Sequence, residues 1–135
     1  MSLLKELDID QDTLVLFASD NGPSYLGGYD REFFKGAGNL RSHKGYVYEG
    51  GIRIPFIARW PGKIKEKSVS DYTGAFQDIM PTLIEVAGGN VPVNVDGISL
   101  LPEFQGSEKQ KEHDFLYMEF PSYGGQQMLR SHFLL

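Results

Sequence analysis

Glycine and proline cut the apolar positions of this chain into short runs. The strongest is Thr13-Leu14-Val15-Leu16-Phe17-Ala18, whose length and Leu, Val and Phe content predict a buried strand over residues 13–19. Before it, Leu3, Leu4 and Leu7 among Lys5 and Glu6 read as the last turns of an amphipathic helix over residues 1–8, with 8–12 as the connection. Helix then buried strand is half of an α/β unit. Residues 52–60 predict a second strand, in which Pro55 must sit at the start, an edge or a bulge because it cannot donate to the ladder. Pro61-Gly62 follows as a turn. Ile79, Met80, Leu83, Ile84 and Ala87 recur at helical spacing behind Asp78 as N-cap, with Pro81 in the first turn and Gly88-Gly89 as the stop. Residues 90–113 read as connection, broken by the apolar patch 98–101. Residues 115–120 predict a third strand ending at Pro121, and Gly124-Gly125 leads into a last apolar piece over 128–135.

Residues 22–51 hold eight of the sixteen glycines, too many for regular structure. Loops of this length are uncommon in compact domains and are usually functional or disordered. The aromatics scattered through it argue against disorder. Tyr25, Tyr29, Phe33 and Phe34 can line a substrate entrance, with packing of the loop itself as the expected role.

Composition narrows the partners. With 135 residues, 41% apolar and 13% aromatic, the chain is one globular domain or part of one. A net charge of −5 without a Lys/Arg cluster makes nucleic acid and anionic membrane poor partners. No apolar stretch approaches the roughly 18 residues of a membrane span. With zero cysteines there is no disulfide and no thiolate metal site.

Candidate chemistry begins where the first strand ends. Asp20 and Asn21 are two adjacent hard oxygen donors, suited to Ca²⁺ or Mg²⁺. In open α/β sheets the ligand crevice lies outside the carboxyl ends of the strands. Asp-Asn-Gly-Pro is equally good turn chemistry, so these residues alone leave both readings open. Asp30 and Glu32 are spare carboxylates with no ligand-like spacing, and His113 and His132 each stand alone as expected surface residues.

The stretch from Leu40 to Pro55 makes the pattern specific. Asp20-Asn21-Gly22, then Lys44 and Tyr48-Glu49-Gly50-Gly51-Ile52-Arg53-Ile54-Pro55, closely resembles the sulfatase family of the alkaline-phosphatase-like α/β superfamily. The likeness continues in Trp60-Pro61-Gly62, Asp78-Ile79-Met80-Pro81-Thr82-Leu83 and Asp96-Gly97-Ile98-Ser99-Leu100-Leu101-Pro102, in family order and over roughly residues 5–130. The fold this implies is α/β, part of an alkaline-phosphatase/sulfatase-like mixed sheet with flanking helices. Residues 1–112 would be the carboxy-terminal part of the catalytic domain, and 113–135 the start of a small antiparallel-sheet subdomain.

The resemblance also implies roles. Asp20 and Asn21 would be two ligands of a divalent cation, Ca²⁺ with Mg²⁺ as the alternative, and Lys44 the catalytic lysine that contacts the sulfate ester. A cation and a positioned ammonium suit the negative charge that shifts onto sulfate oxygens during attack at sulfur. His43 would be a local or substrate-selecting residue, since the family's general acid is an earlier histidine. Glu49 and Arg53, four residues apart, are expected to pair and shape the turn presenting Lys44.

The family's nucleophile is a formylglycine made from the first residue of Cys-x-Pro-Ser-Arg or Ser-x-Pro-Ser-Arg. Neither Pro23-Ser24 nor Pro121-Ser122 is followed by Arg, so that motif is absent, as is the family's early acidic pair. The expectation is a carboxy-terminal portion of a sulfatase acting on aryl sulfates or sulfated glycans, inactive by itself and prone to self-association through its exposed sheet. A periplasmic or secreted parent is implied by the resemblance alone. The rival readings are a phosphodiesterase or phosphonate monoester hydrolase of the same superfamily, and a non-catalytic sulfatase-like binding module.

Overall fold

The computed structural model describes residues 1–24, 28, 30–121 and 125–131. Tyr25, Tyr29, His132 and the end of the last apolar piece lie outside the described residues. The architecture mixes short helices with two small sheets. Strand β1 (Val15–Ala18) pairs with β2 (Phe56–Arg59), and β3 (Phe115–Phe120) with β4 (Gln126–Ser131). No described helix is long and apolar enough to cross a membrane.

Both early strands are shorter than their apolar runs predict, and neither is buried throughout. Phe17 in β1 is 61% exposed and Ile57 in β2 is 59% exposed. A strand with one hydrogen-bonded neighbour covers only part of its surface, so a run patterned for two-sided burial is left partly open. Pro55 stands just before β2, where its missing N–H costs nothing. Ile52 instead closes a helical turn, α3 (Glu49–Ile52).

The chain forms two compact units: Met1–Val15 with Ala58–Asp114, and Leu16–Ile57 with Phe115–Leu135. In the first, α1 (Ser2–Glu6) is the expected helix end. The connection after it is more than a linker. Asp10, in a 3₁₀ turn over Asp10–Asp12, accepts a two-pronged ion pair from Arg59 at 2.7 and 2.8 Å. The Arg59 hydrogen bonds hold the Asp10 carboxyl below its usual range, against the opposing effect of burial. Trp60 Nε1 donates to the Gln11 carbonyl at 3.0 Å beside that pair.

Helix α4 (Ile79–Val86) ends as its glycines predict: Gly88 takes φ +76°, its N–H donates to Glu85, and the Gly89 N–H donates to Ile84. Its start corrects two expectations. Asp78 occupies the N-cap position, but its side chain does not cap the helix. The fully buried carboxylate accepts the N–H groups of Ala75 and Ile98 at 2.8 Å each. His113 Nε2 donates to the same carboxylate, 2.8 Å from Oδ1 and 3.0 Å from Oδ2, with its side chain only 8% exposed. His113 is therefore a buried partner of Asp78, not the surface residue expected of a lone histidine. A carboxylate without water must find its donors inside, and it takes them from three separate segments. Thr82 adds a second knot, donating to the Asp78 carbonyl at 2.6 Å and accepting the Leu100 N–H at 2.8 Å. The apolar patch after residue 97 runs into a further short helix, α5 (Leu101–Phe104).

In the second unit, the glycine-rich stretch contains two single-turn helices, α2 (Arg31–Phe34) and α3, where no regular structure was expected. Asp30 Oδ1 accepts the Phe33 N–H at 2.9 Å at the start of α2. Phe33 and Phe34 are 76% and 61% exposed and meet each other edge to face at 5.0 Å. One helical turn is too short to bury both rings, and most of each stays exposed. The β3–β4 ladder is antiparallel, in register from Phe115 opposite Ser131 to Phe120 opposite Gln126. Leu116 is buried between exposed Phe115 and Tyr117, the alternation of a strand with one covered face.

Candidate functional site

Asp20 and Asn21 lie where the chain leaves β1. Ser19 Oγ donates to the Asn21 carbonyl at 2.8 Å, and Asn21 Nδ2 donates to the Gly22 carbonyl at 3.3 Å, which curls the segment tightly. Asp20 is exposed, and its carboxylate has no hydrogen-bond or ion-pair partner among the described residues. Gly22 is buried, and its N–H donates to the Gly51 carbonyl at 2.8 Å. A Cβ on Gly22 would fall inside the contact radius of the Gly50 carbonyl oxygen, so only glycine permits this approach.

Lys44 is tied to the same place. Its N–H donates to the Pro23 carbonyl at 3.0 Å. Around it, the Gly50 N–H donates to the Arg41 carbonyl at 2.8 Å, and the Tyr46 N–H to the His43 carbonyl at 3.2 Å. Gly50 and Gly51 press against the carbonyl oxygens of Arg41, Ser42, His43 and Tyr46 so closely that neither position has room for a Cβ. Backbone bonds therefore bring the Asp20-Asn21 segment and the Lys44 segment side by side, although more than twenty residues separate them in the chain. The Lys44 side chain is exposed and has no carboxylate partner among the described residues.

Neighbouring side chains brace the loop. His43 Nδ1 donates to the Lys44 carbonyl at 2.9 Å, and its ring meets Tyr46 edge to face at 4.9 Å. The expected Glu49–Arg53 pair forms, at 2.6 Å. Two contacts went unforeseen. Gln126 Oε1, from β4, accepts the Val47 N–H at 3.3 Å, and the Arg41 guanidinium lies 3.8 Å above the centre of the Tyr48 ring. The only sequence signal for the second was an Arg and a Tyr seven positions apart in one glycine-rich stretch, too weak to predict a contact.

Among the described residues, no group of three or more His, Cys, Asp or Glu side chains gathers to hold a metal ion. Asp20 and Asn21 thus offer one carboxylate and one amide oxygen. Both are hard donors, and they make up about a quarter to a third of the 6–8 oxygens that Ca²⁺ takes.

Residues 41–135 match the family described as N-sulphoglucosamine sulphohydrolase, C-terminal. Human arylsulfatase A is 36% identical over 126 residues, which are 91% of this chain and 23% of that protein. Mouse steryl-sulfatase is 33% identical over 121 residues, 87% of this chain and 19% of that protein. The crystal structure of Ps i-CgsB in complex with k-i-k-neocarrahexaose superposes with a TM-score of 0.78 at 26% identity, covering 96% of this chain and 28% of that one. The chain spans about a quarter or less of the length of these curated relatives. It belongs to the sulfatase family and corresponds to part of that family's carboxy-terminal region.

Proposed function

We propose that this chain forms the carboxy-terminal side of an active site that hydrolyses sulfate esters. Asp20 and Asn21 supply two ligands of a divalent cation, Ca²⁺ or alternatively Mg²⁺, and Lys44 contacts the sulfate group. The observation that carries this reading is the pair of backbone bonds, Gly22 to Gly51 and Lys44 to Pro23, that joins the two segments. When bound, the cation supplies positive charge that polarises a sulfate oxygen. The Asp20 carboxylate has no competing partner among the described residues and the Asn21 amide is engaged only through Nδ2, so their oxygen donors fit part of such a site. The exposed Lys44 ammonium can reach an anion held beside them, and His43, braced on the Lys44 carbonyl and Tyr46, selects among substrates.

The nucleophile, a formylglycine, and the remaining metal ligands belong to sequence outside these 135 residues, so the chain alone does not turn over sulfate esters. Aryl sulfates and sulfated glycans are the substrate classes. Residues 1–112 are assigned to the catalytic domain and 113–135 to the antiparallel subdomain, in a periplasmic or secreted protein.

The test is an NMR titration of the isotopically labelled chain. Ca²⁺ should shift the Asp20, Asn21 and Gly22 amides, with a dissociation constant of about 1 mM or weaker, as expected for so few ligands. Sulfate should then shift the Lys44 amide, and Lys44→Ala should abolish that response. Shifts confined to other carboxylates would overturn the metal assignment, and an unchanged response in Lys44→Ala would overturn the sulfate contact.

A further inference from the structure

Three arginines have described side chains, and two of them are paired with carboxylates: Arg53 with Glu49 at 2.6 Å and Arg59 with Asp10 at 2.7 Å. Arg41 is the exception. It is exposed and has no carboxylate partner among the described residues, in a chain where 18 acidic residues outnumber 13 Lys and Arg. Its guanidinium carbon lies over Tyr48 instead, 3.8 Å from the ring centre. The ring attracts the cation without accepting hydrogen bonds as a carboxylate would, so the N–H donors of this exposed guanidinium are not spent on an ion pair.

The backbone holds this arrangement next to Lys44. The Arg41 carbonyl is fastened by the Gly50 N–H, and Tyr48 is the residue from which α3 starts. Arg41 and Lys44 are three positions apart in the chain, so their Cα atoms lie at most about 11 Å apart. From residue 41 to 53 there are three Lys and Arg side chains and one carboxylate, a positive stretch in an acidic chain. Two exposed cations without carboxylate partners among the described residues suit a ligand with two anionic groups.

We infer that Arg41, laid over Tyr48, is a second anion-binding group beside Lys44, and that the substrate is a saccharide carrying a further sulfate or a carboxylate near the sulfate that Lys44 contacts. The inference rests on the proposed role of Lys44. A monosulfated aryl or steroid ester has nothing to offer Arg41, whereas a planar guanidinium edge binds a second oxyanion through two parallel hydrogen bonds.

Galactose 6-sulfate, galactose 2,6-disulfate and galacturonic acid 2-sulfate, titrated at constant ionic strength into the labelled chain, test this. One charge-assisted contact should make at least one of the two dianions bind about tenfold tighter than the monosulfate. Which dianion gains tells whether the second group is a sulfate or a carboxylate. Arg41→Gln and Tyr48→Leu should erase the preference, while Tyr48→Phe should keep it because the ring remains. The Gly22 and Gly51 amide shifts report whether each variant retains the loop. If Lys44→Ala weakens every ligand but Arg41→Gln leaves the preference intact, the inference falls and the sulfate reading stands. If Lys44→Ala weakens none of them, the sulfate reading falls and takes the inference with it.

Discussion

Gly22 donates its N–H to the carbonyl of Gly51 at 2.8 Å, and that bond sets the Asp20-Asn21 turn against the loop carrying Lys44. Neither glycine has room for a side chain, because backbone oxygens from the facing part of the loop fill the space. Backbone cannot move aside as a flexible side chain can. Gly22→Ala should therefore destabilise the chain by about 1–3 kcal/mol, the usual cost of overpacking, and shift the Lys44 and Gly51 amides. Gly38→Ala makes the comparison: its φ is +56° but nothing lies within 4 Å of a Cβ there. It should carry only the left-handed backbone penalty and leave Lys44 undisturbed. Urea unfolding and amide spectra of the two variants check both statements, and equal disturbance of Lys44 would sink the first.

Asp78 is the hub of the other unit, and its loss should be severe. Asp78→Ala strands the Ala75 and Ile98 N–H groups and the buried His113 ring. Buried donors without acceptors cost about 1–3 kcal/mol each, so urea unfolding should show a loss of about 3 kcal/mol or more. Thr82→Val, which keeps the shape but leaves the Leu100 N–H unanswered, should cost about 1–2 kcal/mol, and Thr82→Ser much less. A neutral Asp78→Ala would show that the network does not hold this unit together.

The Asp10–Arg59 pair gives the chain an acid-sensitive component. Asp10 is held below its usual carboxyl range first by the Arg59 hydrogen bonds, and in the unfolded chain it returns to about 3.9. A carboxyl with a depressed folded pKa contributes stability above the unfolded value, and loses it as pH falls through the folded one. Asp10→Asn should therefore lower the thermal midpoint at neutral pH and flatten its decline below about pH 4. Parallel midpoint-against-pH curves for the two proteins would exclude this pair as a source of the acid sensitivity.

Local features were legible in the sequence and long-range ones were not. Helix α4 and its glycine stop could be read because spacing, Pro81 and Gly88-Gly89 all act within a turn or two of one another. The Glu49–Arg53 pair could be read for the same reason. Strand lengths could not, because they depend on which neighbours complete the ladder, and an apolar run does not name its neighbours. His113 was misread because its partner is 35 residues away, and a lone histidine carries no mark of the carboxylate it will meet. At the candidate site, Asp20 and Asn21 stood out by their place at the end of the first strand, whereas Lys44 was singled out through family motifs. Their closeness needed Gly22 and Gly51, whose importance shows only when backbone is seen against backbone.

Self-association is the remaining expectation with a clear locus. Phe17 in β1 and Ile57 in β2 are 61% and 59% exposed, and a two-stranded sheet leaves an outer edge on each strand. Exposed apolar side chains along open edges favour pairing with a second copy. A rival locus is the outer face of α4 with the turn just before it, where Phe76, Met80 and Leu83 are about half exposed. Sedimentation at micromolar to millimolar concentration should show a concentration-dependent dimer. Phe17→Lys together with Ile57→Lys should shift it to monomer, while Met80→Lys with Leu83→Lys should leave it paired. The reverse result would move the contact to α4, and a monomer at every concentration would remove the pairing altogether.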